Sequence, residues 1–382
     1  MISTVSINCG CFGELKEGKL VHFPPHAFND WANTMDQTKG VMNWTETIQH
    51  RHSVRMYTDQ PVEQWKLDVL QSTIDDINLR SGFAFQMVSG VEDALLGLKP
   101  HYGRFTDVHN AVAFMGDMNR VQDVIKYYGT AVGYDDDYEN RRLAFQQTAD
   151  AEPSAYVDLA SDESALTDEQ KFFEQAVGYY GEYLVLVATK LGLASSWVVL
   201  DQARTAQNPW WKRSGEEQVV WFMTFGYPAR VLTRRRSKPV EELVSLPEGM
   251  SFEETPQWFQ AGVQAAMVAP TSLSQQPFRI TFEPGITKYP EDGRVAIEAT
   301  KGLFAHVGLG CASLHFEEVV CEIENNFFNE LDRFLIGYPP EVDLSAIRLE
   351  NRYQDGGIRV WKELKRITTF LPEEVHEIYT AL

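Results

Sequence analysis

Two arginines and a serine stand within five positions in Arg51-His52-Ser53-Val54-Arg55, a short distance ahead of Pro61-Val62. Guanidinium forks bind phosphate oxygens in bidentate fashion and Ser53 adds a short neutral donor, so the string suits a phosphate dianion or the polar edge of a heterocycle. A surface-exposed basic turn is the plainer reading of so short a string. The densest positive charge of the chain follows in Thr233-Arg234-Arg235-Arg236-Ser237-Lys238-Pro239. In a protein of formal net charge -20 such a concentration is explained by an anion bound nearby. Its alternatives are a solvated segment or a nucleic-acid patch, and the global charge argues against the second. A third string, Ala269-Pro270-Thr271-Ser272-Leu273-Ser274-Gln275-Gln276-Pro277-Phe278, sets hydroxyls and amides between apolar elements. There they can meet the donors and acceptors of a polar ligand, or close a hydrogen-bonded loop without one.

These strings need elements to hold them. Helical spacing of Trp65, Val69 and Ile74 predicts a helix over Pro61 to Asn78, followed by a strand over Phe83 to Ser89. A second strand is expected at Ala111 to Met115 and a buried one at Val219 to Phe225, stopped by Gly226-Tyr227-Pro228. The clearest helix runs from an N-cap at Thr167 to Lys190, with Asp168 and Glu169 in its first turn and Gly192 as its stop. The apolar stretch Tyr183 to Leu200 reads as the buried part of that helix and its exit; Lys190 and Gly192 in its middle argue against a membrane span. Residues Met1 to about Thr47 show little periodicity and read as an arm that wraps the domain or stays mobile. Between Asp135 and Asp168 the chain turns acidic and looks inserted, as a solvated face or, alternatively, a lid over a cleft.

The 382 residues allow a substantial core, and an apolar share of 44% is that of a soluble globular protein. The net charge of -20 makes nucleic acid and anionic membranes poor partners for the surface as a whole. The absence of a secretory signal pattern leads to the expectation of a cytoplasmic location. Cys9, Cys11, Cys311 and Cys321 lack the paired spacing of a zinc or iron-sulfur site, so no metal is expected; free thiols are the ordinary reading, with metal binding or redox activity of the Cys9 and Cys11 pair as the alternative.

The stretch Glu63 to Val88 lies without gaps on Pro256 to Thr281, at an offset of 257 - 64 = 193. Gln64 and Trp65 then meet Gln257 and Trp258, Gln71 meets Gln264, Ser81 meets Ser274 and Phe85 meets Phe278. Both copies present a helix, a loop and an aromatic-containing strand in that order, as a degenerate duplication would.

Together these features resemble the nitroreductase family, in particular the TM nitroreductase branch whose single chain contains two nitroreductase-like halves. RHSVRMYTDQPV is similar to its opening flavin-phosphate motif, and YYGEYLVLVATKLGLASSWV to its central helix and exit. FGYPAR followed by RRRSKPVEEL resembles its next strand and basic loop, APTSLSQQPF its second-half flavin loop, and HVGLGCASLHFEEV its late helix. The resemblance spans roughly Thr47 to Val320. It assigns Arg51, His52, Ser53 and Arg55 to the phosphate and pyrimidine of FMN. It assigns Thr271, Ser272, Ser274 and Gln276 to the ribityl chain and ring, with Gln275 as a further candidate. Ser237 stands where the family has an arginine before Lys-Pro, so the phosphate role passes to Arg235 or Arg236. Ser274 occupies a frequent Asn position, and Val199-Leu200 stand where relatives often carry Gly near the flavin's reactive nitrogen.

The fold so implied is α+β, nitroreductase-like, with a mixed or antiparallel central sheet flanked by helices and two pseudo-equivalent halves packed as relatives pack two subunits. Residues 1–47 would form the arm, 48–245 the first half with its acidic insertion at about 135–168, and 246–382 the second half with a C-terminal extension. The implied activity is transfer of two electrons from NAD(P)H through FMN to a flat electrophile such as a nitroaromatic or quinone. No side chain need act as acid or base, because the flavin carries the chemistry. A monomer with one composite site would suffice. The alternative is a non-catalytic flavin- or ligand-binding protein of the same fold.

Overall fold

Helix α2 (Gln64–Ser81) and helix α5 (Gln257–Ala266) both open on the glutamines that the 193-residue offset aligns. The same offset carries strand β4 (Gln86–Val88) onto 279–281, inside strand β9 (Phe278–Pro284). The computed structural model describes residues 5–6, 12–16, 19–23, 42–121, 166–200, 202–230, 236–284 and 293–335. The acidic stretch at about 135–168 lies outside them up to residue 165, as do Arg235 and everything beyond residue 335.

Among the described residues each half has a sheet. The first contains β4, β5 (Ala111–Gly116), β6 (Ala194–Val199) and β7 (Gln218–Gly226), in the order β4-β5-β7-β6 with every pair antiparallel. Its two central strands are apolar almost throughout because both faces are covered. Trp221, Met223 and Phe225 face a core shared with α2 and with α3 (Asp168–Lys190), while Phe222 and Ala113 face a second core with Val54, Tyr57 and Trp211. In the first core Phe85 sits 4.7 Å from Phe83 and 4.8 Å from Phe114, ring centroid to centroid. Truncating a buried Phe of this kind costs about 3–5 kcal/mol.

The second sheet runs β1 (Val5–Ser6), β10 (Gly293–Ala299), β9, β8 (Val244–Ser245), with the β8–β9 pair parallel and the rest antiparallel. Ile280, Phe282 and Ile297 pack on Phe259 of α5 and Phe316 of α6 (Ala305–Leu335). The N-terminal residues thus contribute an edge strand to this sheet, and β2 (Phe12–Lys16) and β3 (Lys19–Phe23) pair with each other.

Helices α3 and α6 hold the halves together, and two glycines let them approach. A Cβ on Gly178 would overlap the carbonyl oxygen of Val307, and one on Gly310 would overlap that of Gln175. Helix α3 begins as its sequence dictates: Thr167 accepts from Gln170 N, and the Gln170 side chain returns the bond. It ends before Gly192, whose φ of 74° is left-handed.

Two expectations need correction. The helix ends at Lys190 as expected, but the exit of the Tyr183–Leu200 stretch, left without an element of its own, is strand β6 from Ala194, because Gly192 turns the chain back antiparallel to β7. Helix α1 (Trp44–His50) begins inside the segment read as an arm. An Asn43–Glu46 capping box starts it, and Glu322 of α6 accepts from Trp44 N, Thr45 N and Thr45 Oγ1, so this helix is docked on the second half.

Candidate functional site

The basic string leaves α1 in extended conformation, with Arg51 as its C-cap. Val54 N donates to Ser195 O at 2.8 Å and Thr106 N to Arg55 O at 3.0 Å, which fix the strip alongside β6. Period two then buries Val54 in the core and leaves Arg51, Ser53 and Arg55 on the opposite side. These three and His52 line a cavity of about 450 Å³, within the usual range for small-molecule sites.

The polar loop lines the same cavity from the other half through Thr271, Ser272, Leu273, Ser274 and Gln276. Its shape is set by Gln276, which is 2% exposed. The Gln276 side chain donates to Met267 O at 2.8 Å and Ser237 Oγ at 3.0 Å and accepts from Lys238 N at 2.6 Å. Its backbone N donates to Thr271 Oγ1 at 3.0 Å. One glutamine therefore ties the basic loop at Arg236-Ser237-Lys238 to the polar loop, and Arg236 and Ser237 line the cavity as well. Because the Gln276 side chain is committed in this way, it shapes the site rather than reaching into it. Gln275 does not line the cavity; its Oε1 accepts from Leu303 N at 3.0 Å and buttresses the loop from behind. Arg235 lies outside the described residues.

Aromatic and aliphatic walls complete the cavity: Trp197 and Val199 from β6, Trp221 from β7, and Phe304, Val307 and Cys311 at the head of α6. Tyr102 joins the halves across it, with its hydroxyl 3.3 Å from Ser272 Oγ. Three lining arginines, Arg51, Arg55 and Arg236, face no lining carboxylate. Arg55 Nε is buried without a hydrogen-bond partner, and the guanidinium lies 5.8 Å from the Phe105 ring centroid.

Arg51 differs. Its Nη2 donates to Val268 O at 3.0 Å, and its Nε lies 3.4 Å from Glu182 Oε1. Glu182, fully buried on α3, also accepts from Trp197 Nε1 at 2.8 Å and contacts His315 of α6 at 2.9 Å. A buried acid, a buried histidine and an arginine thus lie directly behind the cavity wall. Burial of Cys311 beside this acid pushes its thiol well above the ordinary range, so it is an apolar wall element.

Of the residues named from the sequence, the cavity brings together Arg51, His52, Ser53, Arg55, Arg236, Thr271, Ser272, Ser274 and Gln276 but not Gln275, and the sequence reading did not name Tyr102, Trp197, Trp221, Phe304, Glu182 or His315. A signal existed for Glu182, the one charge between Ala176 and Thr189 in the apolar part of α3, which demands a buried partner. None existed for Trp221, which reaches the cavity through its pairing with Val199 across β6 and β7.

Comparison with known proteins follows the same lines. The family model described as "Putative TM nitroreductase" matches residues 43–134 and 134–319. Among solved structures, a "putative nitroreductase" from Thermotoga maritima MSB8 is 17% identical over 76% of this chain and 88% of its own, with a TM-score of 0.41. A nitroreductase family protein from Streptococcus pneumoniae TIGR4 is 17% identical over 53% of this chain and 99% of its own, with a TM-score of 0.34. A "putative nitroreductase" from Exiguobacterium sibiricum 255-15, solved with FMN, is 16% identical over 54% and 98%, with a TM-score of 0.36. A search of curated proteins finds no match. The α+β fold with an antiparallel sheet, flanking helices and two halves is the one expected from the sequence. Among the described residues no helix is long and apolar enough to cross a membrane.

Proposed function

Since the chain belongs to the nitroreductase family, matched by its model over 43–134 and 134–319, we propose that it is an FMN-dependent oxidoreductase. Its electrons would come from NAD(P)H and pass to a flat electrophile such as a nitroaromatic or a quinone. The observation that carries this reading is the cavity itself. In a protein of net charge -20 it gathers three arginines, a histidine and a row of hydroxyls with no acidic lining residue. Such a lining suits a ligand with a phosphate at one end and a polar-edged aromatic ring at the other.

The residues present fit FMN. Arg55, whose Nε lacks a partner, and the exposed Arg236 are the arginines to grip its phosphate, with Ser53 and His52 beside them and Arg235 next in the chain. Thr271, Ser272 and Ser274 offer hydroxyls to the ribityl chain and ring edge. Arg51, already balanced by Glu182, adds direction more than net charge. Trp197, Trp221 and Phe304, which line the cavity, would exclude water from the ring. When bound, FMN would supply the two-electron redox chemistry. The chain's own part is to bind, orient and desolvate, and no side chain is assigned as an acid or base.

Anaerobic spectroscopy tests this. The FMN-saturated protein should lose its yellow colour on addition of NADH or NADPH and regain it with turnover when 1,4-naphthoquinone or a nitroaromatic is added. Flavin that stays oxidised under both nicotinamides would overturn the assignment.

A further inference from the structure

Seven described residues other than glycine have positive φ, and four of them, Leu273, Ser274, Gln276 and Phe304, line this one cavity. Left-handed backbone is unfavourable for residues that carry a Cβ, and such conformations persist only where the surroundings impose them. In the 271–276 loop Gln276 imposes it. The four hydrogen bonds of its side chain and backbone N pin the loop, and the turn closes through Ser274 N to Thr271 O and Gln275 N to Ser272 O, each at 3.0 Å.

Leu273 is the odd member of this group. Its φ of 53° and ψ of 22° would suit Gly or Asn, and its side chain is 63% exposed, the highest value among the exposed large hydrophobic residues described. Neither local conformation nor burial in the folded chain favours a leucine at this position. It lines the cavity with its side chain largely in solvent, and the lining also holds Phe304, which is itself strained, with φ 53°, and held by edge contacts to Trp221 at 6.0 Å and His101 at 6.1 Å.

We propose that Leu273 is a specificity-determining residue that covers a flat apolar electron acceptor at the mouth of the cavity. This rests on the oxidoreductase reading above and names the part of the acceptor that the site selects. The pinned loop presents the leucine in a preformed position, so no loop ordering opposes binding. An apolar ring entering beside the cofactor would bury it, whereas a small hydrophilic acceptor would leave it wet.

The test is equilibrium binding of 1,4-naphthoquinone to the oxidised, FMN-loaded protein without reductant, read by quenching of flavin or tryptophan fluorescence. Leu273→Asn keeps a side chain compatible with left-handed backbone and removes the apolar surface. The quinone should bind about five- to tenfold more weakly to this variant, as expected for losing burial of part of one aliphatic side chain. FMN affinity should stay within about twofold of wild type, and the urea midpoint should be equal or higher. Unchanged quinone affinity in a variant that retains FMN would overturn the proposal alone. A parallel loss of FMN affinity would also overturn it, by making Leu273 a cofactor contact. A wild-type protein that binds no FMN at all would overturn the underlying reading together with it.

Discussion

His315 Nε2 lies 2.9 Å from Glu182 Oε1, and neither side chain has any solvent exposure. The other ring nitrogen faces Ala265 O at 3.1 Å. With Arg51 Nε at 3.4 Å on the same oxygen, one carboxylate on α3 balances groups from the basic strip and from α6. This cluster welds the halves immediately behind the cavity. Burial of charge is costly, and removing one partner exposes the full cost. Glu182→Ala is therefore expected to lose about 3–5 kcal/mol of stability. Urea unfolding measures it, and an unshifted midpoint would refute the role given to Glu182.

Arg51 and Arg55 sit in one strip but carry different burdens. Arg55 has a buried Nε with no hydrogen-bond partner, so Arg55→Ala should weaken FMN binding by about 1.5–3 kcal/mol, roughly ten- to a hundredfold, with little change in stability. Arg51→Ala removes a structural ion pair as well and should lower both FMN affinity and the unfolding midpoint. Fluorescence titration of FMN beside a urea melt separates the two. Undiminished FMN retention in the double variant would sink the assignment of the basic strip.

Close approach of α3 and α6 depends on Gly178 and Gly310, where an added methyl meets a backbone carbonyl that cannot move aside like a flexible side chain. Gly178→Ala and Gly310→Ala should each destabilise by about 1–3 kcal/mol or more, despite alanine's better helix propensity. A stabilised Gly310→Ala protein would show that the helices can separate without loss.

Lys190 and Glu318 titrate abnormally where α1, α3 and α6 meet. Burial lowers the Lys190 ammonium to about 8, against the raising effect of Glu318, Glu322 and Glu46, and its Nζ lies 3.6 Å from the Trp44 ring centroid. Burial first, then Glu317, raises the Glu318 carboxyl to about 8, with Lys190 opposing and Glu322 adding. Between 4.5 and about 8 the folded state holds a Glu318 proton that the unfolded state has lost, so this group's contribution to stability falls as pH rises. Between about 8 and 10.5 the unfolded state holds a Lys190 proton that the folded state lacks, so stability recovers. The pair predicts a dip near pH 8 in the urea midpoint. Glu318→Gln should flatten its acid side and Lys190→Met its alkaline side. Variant curves running parallel to wild type would refute the assignment.

Local signals made α2, α3, β5 and β7 legible, since their caps, stops and apolar runs are written within each segment. The site's polar members were legible for a similar reason: Arg51 to Arg55 and Thr271 to Gln276 are contiguous strings. Its walls were not. Trp221 meets Val199 only through an antiparallel register, and Tyr102 meets Ser272 across 170 residues. Gln276 shows the limit from the other side. Its type suggested a ligand contact, but the bonds it makes depend on where Lys238 and Met267 fall in space. Strand β6 was hidden in an apolar run that sequence periodicity cannot divide between a buried helix and a buried strand.

A single chain should hold one FMN, because each half has filled with core what the other half keeps as site. Applying the offset of 193 to Arg51, Ser53 and Arg55 gives Val244, Leu246 and Glu248. Val244 lies in β8, buried and paired with Ile280, so the second half turns its equivalent of the first arginine into sheet core. Carried the other way, Thr271, Ser272, Gln275 and Gln276 give Asn78, Leu79, Gly82 and Phe83. Asn78 spends its amide on Phe85 N at 2.7 Å and Phe85 O at 3.0 Å, Gly82 caps α2 with φ 76°, and Phe83 is buried against Phe85 and Phe173. A hydroxyl-rich loop cannot coexist with that packing. The basic strip of the first half and the polar loop of the second therefore meet in one cavity, and the pseudo-equivalent position has lost both. The lining among the described residues comes from one polypeptide, so a monomer is expected to suffice for binding. FMN released by denaturation after saturation and gel filtration should approach one per chain, whereas a value near two would refute the complementary loss.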